Sequence, residues 1–168
     1  MTLLYLRHGQ TDWNAQRLFQ GRTDIPLNET GRGQARAQAQ ALSSHQPPVD
    51  LIYASPLLRA KETAEIVQQA LGAPIYFDER LVERGYGDLE GTPITGYVGE
   101  EGLAQHGAEP FSQLHERVKG FLEDIAARHP AQTVLVVAHG GVGRMVQYCV
   151  HGGEAVRMEN GALMRFDL

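Results

Sequence analysis

Four side chains that can carry positive charge stand just beyond apolar runs of the sequence, where strands are expected to end. Arg7 and His8 follow the run TLLYL, His139 follows TVLVVA, and Arg59 follows LIYA through the segment ASPLLR. Two arginines and two histidines brought together would repel one another without an anion between them. Because guanidinium groups grip phosphate oxygens through a planar fork of donors, these residues predict a pocket for a phosphate monoester.

Such a pocket can also perform chemistry. A neutral imidazole is a nucleophile that can accept a phosphoryl group, and neighbouring cations lower its pKa and keep it neutral. Arginines and a second histidine can then hold the charged oxygens of the transferring group. The leaving alcohol also needs a proton, and the segment LVERGYGDLEG offers Glu83, Asp88 and Glu90 as acids that could donate it and later activate water.

Alternating apolar patterns predict the framework that positions these residues. Strands are predicted at 2–6, 49–55, 74–77, 133–138 and 162–168. Helices are predicted at about 29–43 with Asn28 as the cap, from Ser55–Pro56 to Leu71, from Phe111 onwards, and after His139. Strands that alternate with helices predict an α/β fold around a mainly parallel sheet, in which ligands bind beyond the carboxyl ends of the strands.

The segment from about 79 to 110 breaks this periodicity. It is rich in glycine and acidic residues, and we interpret it as a long loop with room for one short helix. Loops of this length in a compact domain are often functional. Arg117, in the helix that follows, is expected to be a surface or helix-capping residue.

Composition restricts the class of protein. A chain of 168 residues favours one domain, and a net charge of -5 argues against a protein that coats nucleic acid. The chain shows no signal peptide and no apolar run approaching the ~18–20 residues of a membrane span. With Cys149 as its one cysteine it can form no internal disulfide. We therefore expect a soluble cytoplasmic protein without a membrane partner.

Seven motifs in order resemble one known family. They are LRHGQT, DWN, RLFQG, DIPLNETG, ASPLLRAKETA, LVERGYGDLEG and VVAHGG, and they cover about two thirds of the chain. Together they resemble the histidine phosphatase superfamily, and more narrowly its phosphoglycerate mutase-like branch. The resemblance implies a three-layer α/β/α sandwich with a mostly parallel sheet, in one domain over residues 1–168 with a short lid-like loop at about 86–110.

The resemblance also implies roles for individual residues. His8 matches the nucleophile that becomes phosphohistidine, and Glu83 matches the general acid and base in preference to Asp88 or Glu90. The phosphate pocket matches Arg7, Arg59 and His139. Positions that line the substrate or phosphate site match Asn14, Gln20, Gly21, Tyr86 and Gly140. The family's chemistry implies no metal and no organic cofactor.

Departures from the family pattern narrow the expected activity. Mutases of the family carry a longer basic insertion after the acid loop, whereas residues 91–110 contain no arginine or lysine. We therefore expect a phosphatase acting on a small phosphorylated metabolite, and Glu83 favours an alcohol leaving group. The alternatives are mutase-type phosphoryl transfer, a phosphohistidine-protein phosphatase and, least favoured, a phospholigand-binding protein without catalysis. The sequence leaves the substrate and the oligomeric state open.

Overall fold

A five-stranded sheet runs through the computed structural model, which describes residues 1–153 and 155–168. The strands are β1 (Thr2–Arg7), β2 (Leu51–Ala54), β3 (Ile75–Phe77), β4 (Thr133–Ala138) and β5 (Leu163–Asp167). Their order in the sheet is β3-β2-β4-β1-β5. The first four are mutually parallel, and β5 pairs antiparallel with β1 at one edge. The predicted mostly parallel sheet is confirmed.

Helices cover both faces of this sheet. They are α1 (Asp12–Ala15), α2 (Glu29–Ser43), α3 (Leu58–Leu71), α4 (Glu100–Gln105), α5 (Phe111–Arg128) and α6 (Gly140–His151), with short 3-10 turns at Glu79–Leu81 and Gly87–Leu89. The core on one face combines sheet residues with α5 and α6, and the core on the other face combines them with α2 and α3. This is the three-layer α/β/α arrangement that the resemblance implied. No helix in the described ranges is long and apolar enough to span a membrane.

Burial explains why the strands are continuously apolar. All six residues of β4 are buried, as are the four central residues of β1. β4 lies in the middle of the sheet, and helices pack on both of its faces, so neither set of alternating side chains meets water. The side chains of His139 and Arg7 therefore stand at the ends of two strands whose central residues are buried on both faces of the sheet.

Two helix boundaries differ from the sequence-based expectation. The short helix α1 was not predicted, and it begins at a reciprocal cap in which Thr11 and Asn14 bond each other's backbone N–H groups. Helix α3 begins at Leu58 and not at Ser55–Pro56. The Ser55 hydroxyl instead bonds the imidazole of His139, which ties the end of β2 to the end of β4.

A close approach between two loops explains Gly9 in the motif LRHGQT. A Cβ atom at Gly9 would overlap the backbone of Gly31 in the first turn of α2. The φ angle of Gly9 does not lie in the left-handed region, so the requirement is space and not an unusual backbone conformation. The glycine thus lets the chain after β1 pack directly against α2.

Candidate active site

The carboxyl ends of three neighbouring parallel strands meet at the candidate site. His8 follows β1 and His139 follows β4, which is the neighbour of β1, and their ring centroids lie 5.1 Å apart. Arg59 lies in the first turn of α3, the helix that follows β2 on the other side of β4. The sheet topology therefore brings together the residues that the sequence predicted to converge.

His8 is held as a neutral imidazole with one nitrogen atom left to react. It is 2% exposed, and its Nδ1 atom lies 2.6 Å from the carbonyl oxygen of Gly9. Because a carbonyl oxygen only accepts hydrogen bonds, Nδ1 carries the proton and Nε2 keeps its lone pair. Burial, followed by the charges of Arg59 and Arg7, lowers the pKa of His8 well below its ordinary value of 6.5. The site thus contains an imidazole that stays neutral at physiological pH.

His139 is fully buried beside His8. Its Nε2 atom lies 2.8 Å from the Ser55 hydroxyl. Burial and the charge of Arg59 lower the pKa of His139 well below 6.5, and His8 and Arg7 act in the same direction. Two neutral histidines can lie close together without the repulsion that two imidazolium ions would suffer.

Arg7 and Arg59 are held by backbone carbonyl groups. Nη1 of Arg7 donates to the carbonyl of Met158, and the two Nη atoms of Arg59 donate to Thr23 at 3.0 Å and Gly21 at 2.6 Å. In the described part of the chain, neither guanidinium forms an ion pair. Burial lowers the pKa of Arg59 to about 10 and also lowers that of Arg7, and at neutral pH both remain charged.

Three buried side-chain nitrogen atoms of the described chain have no hydrogen-bond partner. They are Nε of Arg7, Nε of Arg59 and Nδ1 of His139. Buried polar groups in folded proteins are nearly always hydrogen-bonded, so each exception needs an explanation. All three atoms belong to residues of this site, and that concentration marks it as a place built to receive acceptor atoms.

Glu83 lies at the beginning of α6. One carboxylate oxygen accepts from the backbone N–H of Gly141 at 3.0 Å, and the other accepts from the N–H of Arg84 at 2.8 Å. The carboxylate is 8% exposed and lies at the positive end of the α6 dipole. A methyl group on Gly141 would overlap it, so this glycine makes room for the acid.

The other two acids of the LVERGYGDLEG segment are placed differently. Glu90 accepts hydrogen bonds from the backbone of Arg22, Thr23 and Tyr86 and from the Thr23 hydroxyl. Burial opposes ionisation of Glu90, but these hydrogen bonds outweigh it and lower the pKa of the carboxyl below its ordinary value. Asp88 is exposed, and neither carboxylate lines the cavity next to His8. Glu90 therefore connects the loop of residues 22–23 to the segment that contains Tyr86.

A cavity of about 750 Å³ opens above His8. The predicted site residues that line it are Arg7, His8, Asn14, Gln20, Gly21, Glu83, Tyr86 and Gly140. Arg59 and His139 are fully buried and do not line it. Burial, with the charge of Glu83, raises the pKa of Tyr86 to about 12, so the tyrosine remains a neutral hydroxyl at the cavity wall.

Asn160 is a site residue that no sequence motif had indicated. Its side-chain nitrogen donates to the carbonyl of His8 at 3.2 Å and to Oδ1 of Asn14 at 3.1 Å. Oδ1 of Asn14 also accepts from the backbone N–H of Thr11, and the Thr11 hydroxyl donates its one proton to Gln20 at 2.6 Å. This chain of hydrogen bonds holds the loop after β1, and the sequence contained no signal for the partner from the far end of the chain.

Three arginines of the cavity wall were also missed, the first of which, Arg84, lies next to Glu83 in the sequence. Arg144 lies on α6 within HGGVGR, and Arg157 comes from the segment before β5. Position on the predicted helix after His139 could have indicated Arg144, whereas no motif surrounds Arg157. Apolar and aromatic side chains complete the wall, among them Phe19, Ile94, Tyr97, Phe111 and Tyr148.

Arg117 is not the surface or capping residue that we expected. Its side chain is 15% exposed, and it forms a two-point ion pair with Glu109 at 2.7 and 2.8 Å. Its remaining nitrogen donates to the carbonyls of Arg80 and Val82, just before Glu83. The helical pattern placed Arg117 on α5 but could not show that this part of α5 lies against the acid loop.

A metal site would require several ligating side chains close together. Within residues 1–153 and 155–168, histidine, cysteine and carboxylate side chains form no group of three or more that could hold a metal ion.

Comparison with known families agrees with this geometry. The chain matches the histidine phosphatase superfamily (branch 1) over residues 3–166, and it belongs to that superfamily. The protein is a histidine phosphatase: its relatives and structural neighbours include phosphatases, beside proteins named phosphoglycerate mutases. The resemblance inferred from the motifs is thereby confirmed.

Three similar proteins illustrate the range of the family. An uncharacterized phosphatase of Bacillus subtilis, PhoE, is 37% identical over 96% of this chain and 86% of its own length. A probable phosphoglycerate mutase of Photorhabdus laumondii is 33% identical over 99% of this chain and 85% of its own. A solved structure of mycobacterial glucosyl-3-phosphoglycerate phosphatase superimposes with a TM-score of 0.84 at 29% identity, covering 98% of this chain and 91% of that one.

Proposed function

We propose that the protein hydrolyses small phosphate monoesters through a phosphohistidine on His8, with Glu83 as general acid and base. The observation that carries the proposal is the set of three buried, unpartnered nitrogen atoms on Arg7, Arg59 and His139. A phosphoryl group has three non-bridging oxygen atoms that can accept from such nitrogens. Arg7 lines the cavity, and Arg59 and His139 are buried next to His8. Such preorganised donors stabilise the transferring group most strongly where water is excluded.

The first step transfers the phosphoryl group to the enzyme. Nε2 of His8 attacks phosphorus with its lone pair, and the bond between phosphorus and the alcohol oxygen breaks. Glu83, in its acid form, gives its proton to the departing oxygen. Arg7 and Arg59 keep the negative charge of the equatorial oxygens compensated throughout.

The second step returns the enzyme to its starting state. The Glu83 carboxylate takes a proton from a water molecule, and the water oxygen attacks phosphorus of phospho-His8. The bond between phosphorus and Nε2 breaks, phosphate leaves, and His8 is again neutral. Because one carboxyl group serves both steps, it must lie near both the leaving oxygen and the incoming water, which the cavity-lining position of Glu83 permits.

The direct test has two parts. The first is steady-state hydrolysis of an aryl phosphate in the presence of EDTA, and the second is trapping of the phosphoenzyme and measurement of its stability in acid and in base. We expect metal-independent turnover and a base-stable, acid-labile phosphoenzyme in the wild type, and neither in His8→Ala. His45→Ala is the matched control, because His45 is a partly exposed histidine at the far end of α2 whose imidazole bonds only the Pro47 carbonyl. Substantial residual turnover in His8→Ala would remove His8 from the nucleophile role.

Mutase-type phosphoryl transfer is the second candidate, since one similar protein is named a probable phosphoglycerate mutase. A mutase must keep water away from its phosphohistidine, and residues 91–110 of this chain carry no arginine or lysine to close over a second acidic group. We therefore expect phosphate release to exceed interconversion of 2- and 3-phosphoglycerate. Interconversion faster than release would replace the phosphatase proposal by the mutase.

The cavity wall favours a substrate with a second negative charge. Arg84 pairs with Glu100, but Arg144 forms no ion pair in the described part of the chain. Arg157 approaches only Glu159, at 3.7 Å, and both of these side chains are largely exposed. Cations beyond those that hold the phosphoryl group would attract a carboxylate on the alcohol, such as the one in a phosphoglycerate.

A matched substrate pair tests this charge preference. 3-Phosphoglycerate and glycerol 3-phosphate differ in a carboxylate against a CH₂OH group. We expect kcat/KM to favour the phosphoglycerate by roughly tenfold or more, the size of a charge-assisted hydrogen bond. Arg144→Gln and Arg157→Gln should each reduce that ratio. Equal kcat/KM values for the two substrates in the wild type would contradict a carboxylate subsite.

A further inference from the structure

The segment that carries Glu83 is held from behind by one buried arginine. Residues 82–86 form neither helix nor strand, so their carbonyl groups need partners from elsewhere. Arg117 supplies a partner for one of them: its Nη1 atom donates to the carbonyl of Arg80, in the preceding 3-10 turn, at 2.6 Å and to that of Val82 at 2.7 Å. The second of these carbonyls belongs to the peptide bond that joins Val82 to Glu83.

Glu109 completes the arrangement. Its side chain is 8% exposed and accepts from Nε and Nη2 of Arg117 in the two-point geometry of a guanidinium and a carboxylate. Burial alone would raise the pKa of Glu109, but the hydrogen bonds and charge of Arg117 outweigh burial and lower it. Arg22 also approaches Glu109, at 3.3 Å, and its Nε atom donates to the carbonyl of Glu83.

We propose that Arg117 is a positioning residue, which acts with Glu109 to fix the Glu83 carboxylate at the beginning of α6. The inference rests on the acid–base role proposed for Glu83. Carbonyl groups before Glu83 are held by Arg117, and the carbonyl of Glu83 itself is held by Arg22, whose partner is again Glu109. The irregular backbone around the acid is thereby restrained on both sides by one charge cluster, in which Arg117 and Glu109 are largely buried and Arg22 is half exposed.

Proton transfer depends strongly on such restraint. A general acid acts on an oxygen within hydrogen-bond distance, and a displacement of about 1 Å can cost as much as 10²-fold in rate. Lysine in place of Arg117 would keep the charge, but its single ammonium group cannot bind a carboxylate in two places and two carbonyls at once. The predicted defect is therefore one of proton delivery and not of phosphate binding.

The experiment is a leaving-group series of aryl phosphates, from p-nitrophenyl phosphate to phenyl phosphate, with Arg117→Lys. Phenolate is the poorer leaving group and needs the acid more. We expect kcat for phenyl phosphate to fall about tenfold more than kcat for p-nitrophenyl phosphate, with KM little changed. A merely structural role would lower both kcat values by the same factor, and that result would overturn the proposal.

Arg80→Gln is the matched control. Arg80 is a second ion-paired arginine of the same region, but its side chain contacts Asp78, Asp124 and the Gly120 carbonyl and no residue of 82–86. We expect its loss to lower the melting temperature and to leave the ratio of the two kcat values unchanged. Glu109→Gln tests the same link from the other side, should Arg117→Lys fold poorly, and it should change that ratio in the direction expected for Arg117→Lys.

A double variant separates this inference from the proposed function. If Arg117 acts through Glu83, adding Arg117→Lys to Glu83→Gln should cause no further leaving-group effect. If Glu83→Gln itself shows no leaving-group dependence, the acid role of Glu83 fails and the positioning role fails with it. If Glu83→Gln shows that dependence and neither Arg117→Lys nor Glu109→Gln does, only the positioning role is overturned.

Discussion

At the scale of single residues, the site combines cations with an imidazole that stays uncharged. His8 lies between two arginines that form no ion pair in the described chain, and burial and those charges keep the ring neutral. The same charges that would bind a phosphoryl group thus also preserve the lone pair that would attack it. Glu83 lines the same cavity, where its carboxylate accepts from the N–H groups of Gly141 and Arg84.

Loss of the acid should depend on the leaving group. We expect Glu83→Gln to slow hydrolysis of alkyl phosphates by roughly 10²–10⁴-fold, as is typical of losing a general acid, and to slow p-nitrophenyl phosphate less. Steady-state kcat values for the two substrates measure the difference. Asp88→Asn is the control, since Asp88 lies in the same segment, is exposed and does not line the cavity. Equal losses on both substrates would indicate a binding or structural role for Glu83.

The buried histidines should make the fold sensitive to mild acid. The folded-state pKa values of His8 and His139 are lowered, so the unfolded chain binds more protons than the folded one as pH falls below about 6.5. Stability is therefore complete above that pH and is lost below it, by up to about 1.4 kcal/mol per pH unit for each histidine. Urea unfolding in phosphate-free buffer between pH 7.5 and 5.5 measures the slope.

His8→Gln should remove one titrating group and reduce that slope. The carboxyl groups with lowered pKa values, such as Glu90 and Glu109, lose their contribution only below their ordinary pKa of 4.5, outside this window. A wild-type slope no steeper than that of His8→Gln would contradict the charge state assigned to His8.

At the scale of elements, the Glu83 carboxylate packs against the first turn of helix α6. Glu83 accepts from the N–H of Gly141, and the absence of a side chain there provides the space for its carboxylate. The interaction joins an irregular loop to the helix that follows His139. The position of the Glu83 carboxylate is thus determined by contact between two elements that are far apart in sequence.

Substitution of that glycine should impair catalysis without unfolding the protein. In Gly141→Ala the added methyl group displaces the flexible end of Glu83, so we expect kcat to fall by at least about tenfold while the melting temperature changes little. Gly120→Ala is the control, since a Cβ atom there meets nothing within 4 Å in the middle of α5. It should retain activity and gain about 0.5–1 kcal/mol of stability. Full activity in Gly141→Ala would show that the position of Glu83 is not critical.

At the scale of the whole molecule, the sheet determines which loops meet. The order β3-β2-β4-β1-β5 places β4 between β1 and β2, and so places His139 between His8 and Arg59. The ends of these strands are rigid because their apolar side chains are buried against helices on both faces. The site therefore depends on this core, to which Leu114, Met145 and Met158 of the cavity wall also belong.

Truncation of a core side chain should lower the free energy of unfolding more, the more deeply that side chain is buried. Leu135 lies in β4 and is fully buried, so Leu135→Ala should reduce the free energy of unfolding by about 2–5 kcal/mol. Leu58→Ala, at a leucine that is 45% exposed, should change it by no more than about 0.5 kcal/mol. Chemical denaturation of both variants provides the comparison. Similar losses at the two positions would contradict the assignment of β4 to the centre of the core.

Local patterns in the sequence were sufficient for much of this description. Apolar runs and helical spacing indicated the strands and the four long helices, because burial imposes a period on the side chains that face the core. The motifs around His8, Arg59, Glu83 and His139 identified the family and the candidate chemistry, because each of these residues lies in a short continuous stretch of the sequence that is readable by itself. Predictions failed for α1 and for the start of α3, where single side-chain hydrogen bonds decide the boundary.

Tertiary structure decided what no local pattern could express. Arg117 looks like any polar residue of an amphipathic helix, and only the packing of α5 against the acid loop makes it a buried partner of Glu109. Arg157 and Asn160 reach the site from the far end of the chain without a motif. The physical reason is that a residue's type is local, whereas its neighbours are determined by folding, which brings together segments separated by many residues in sequence.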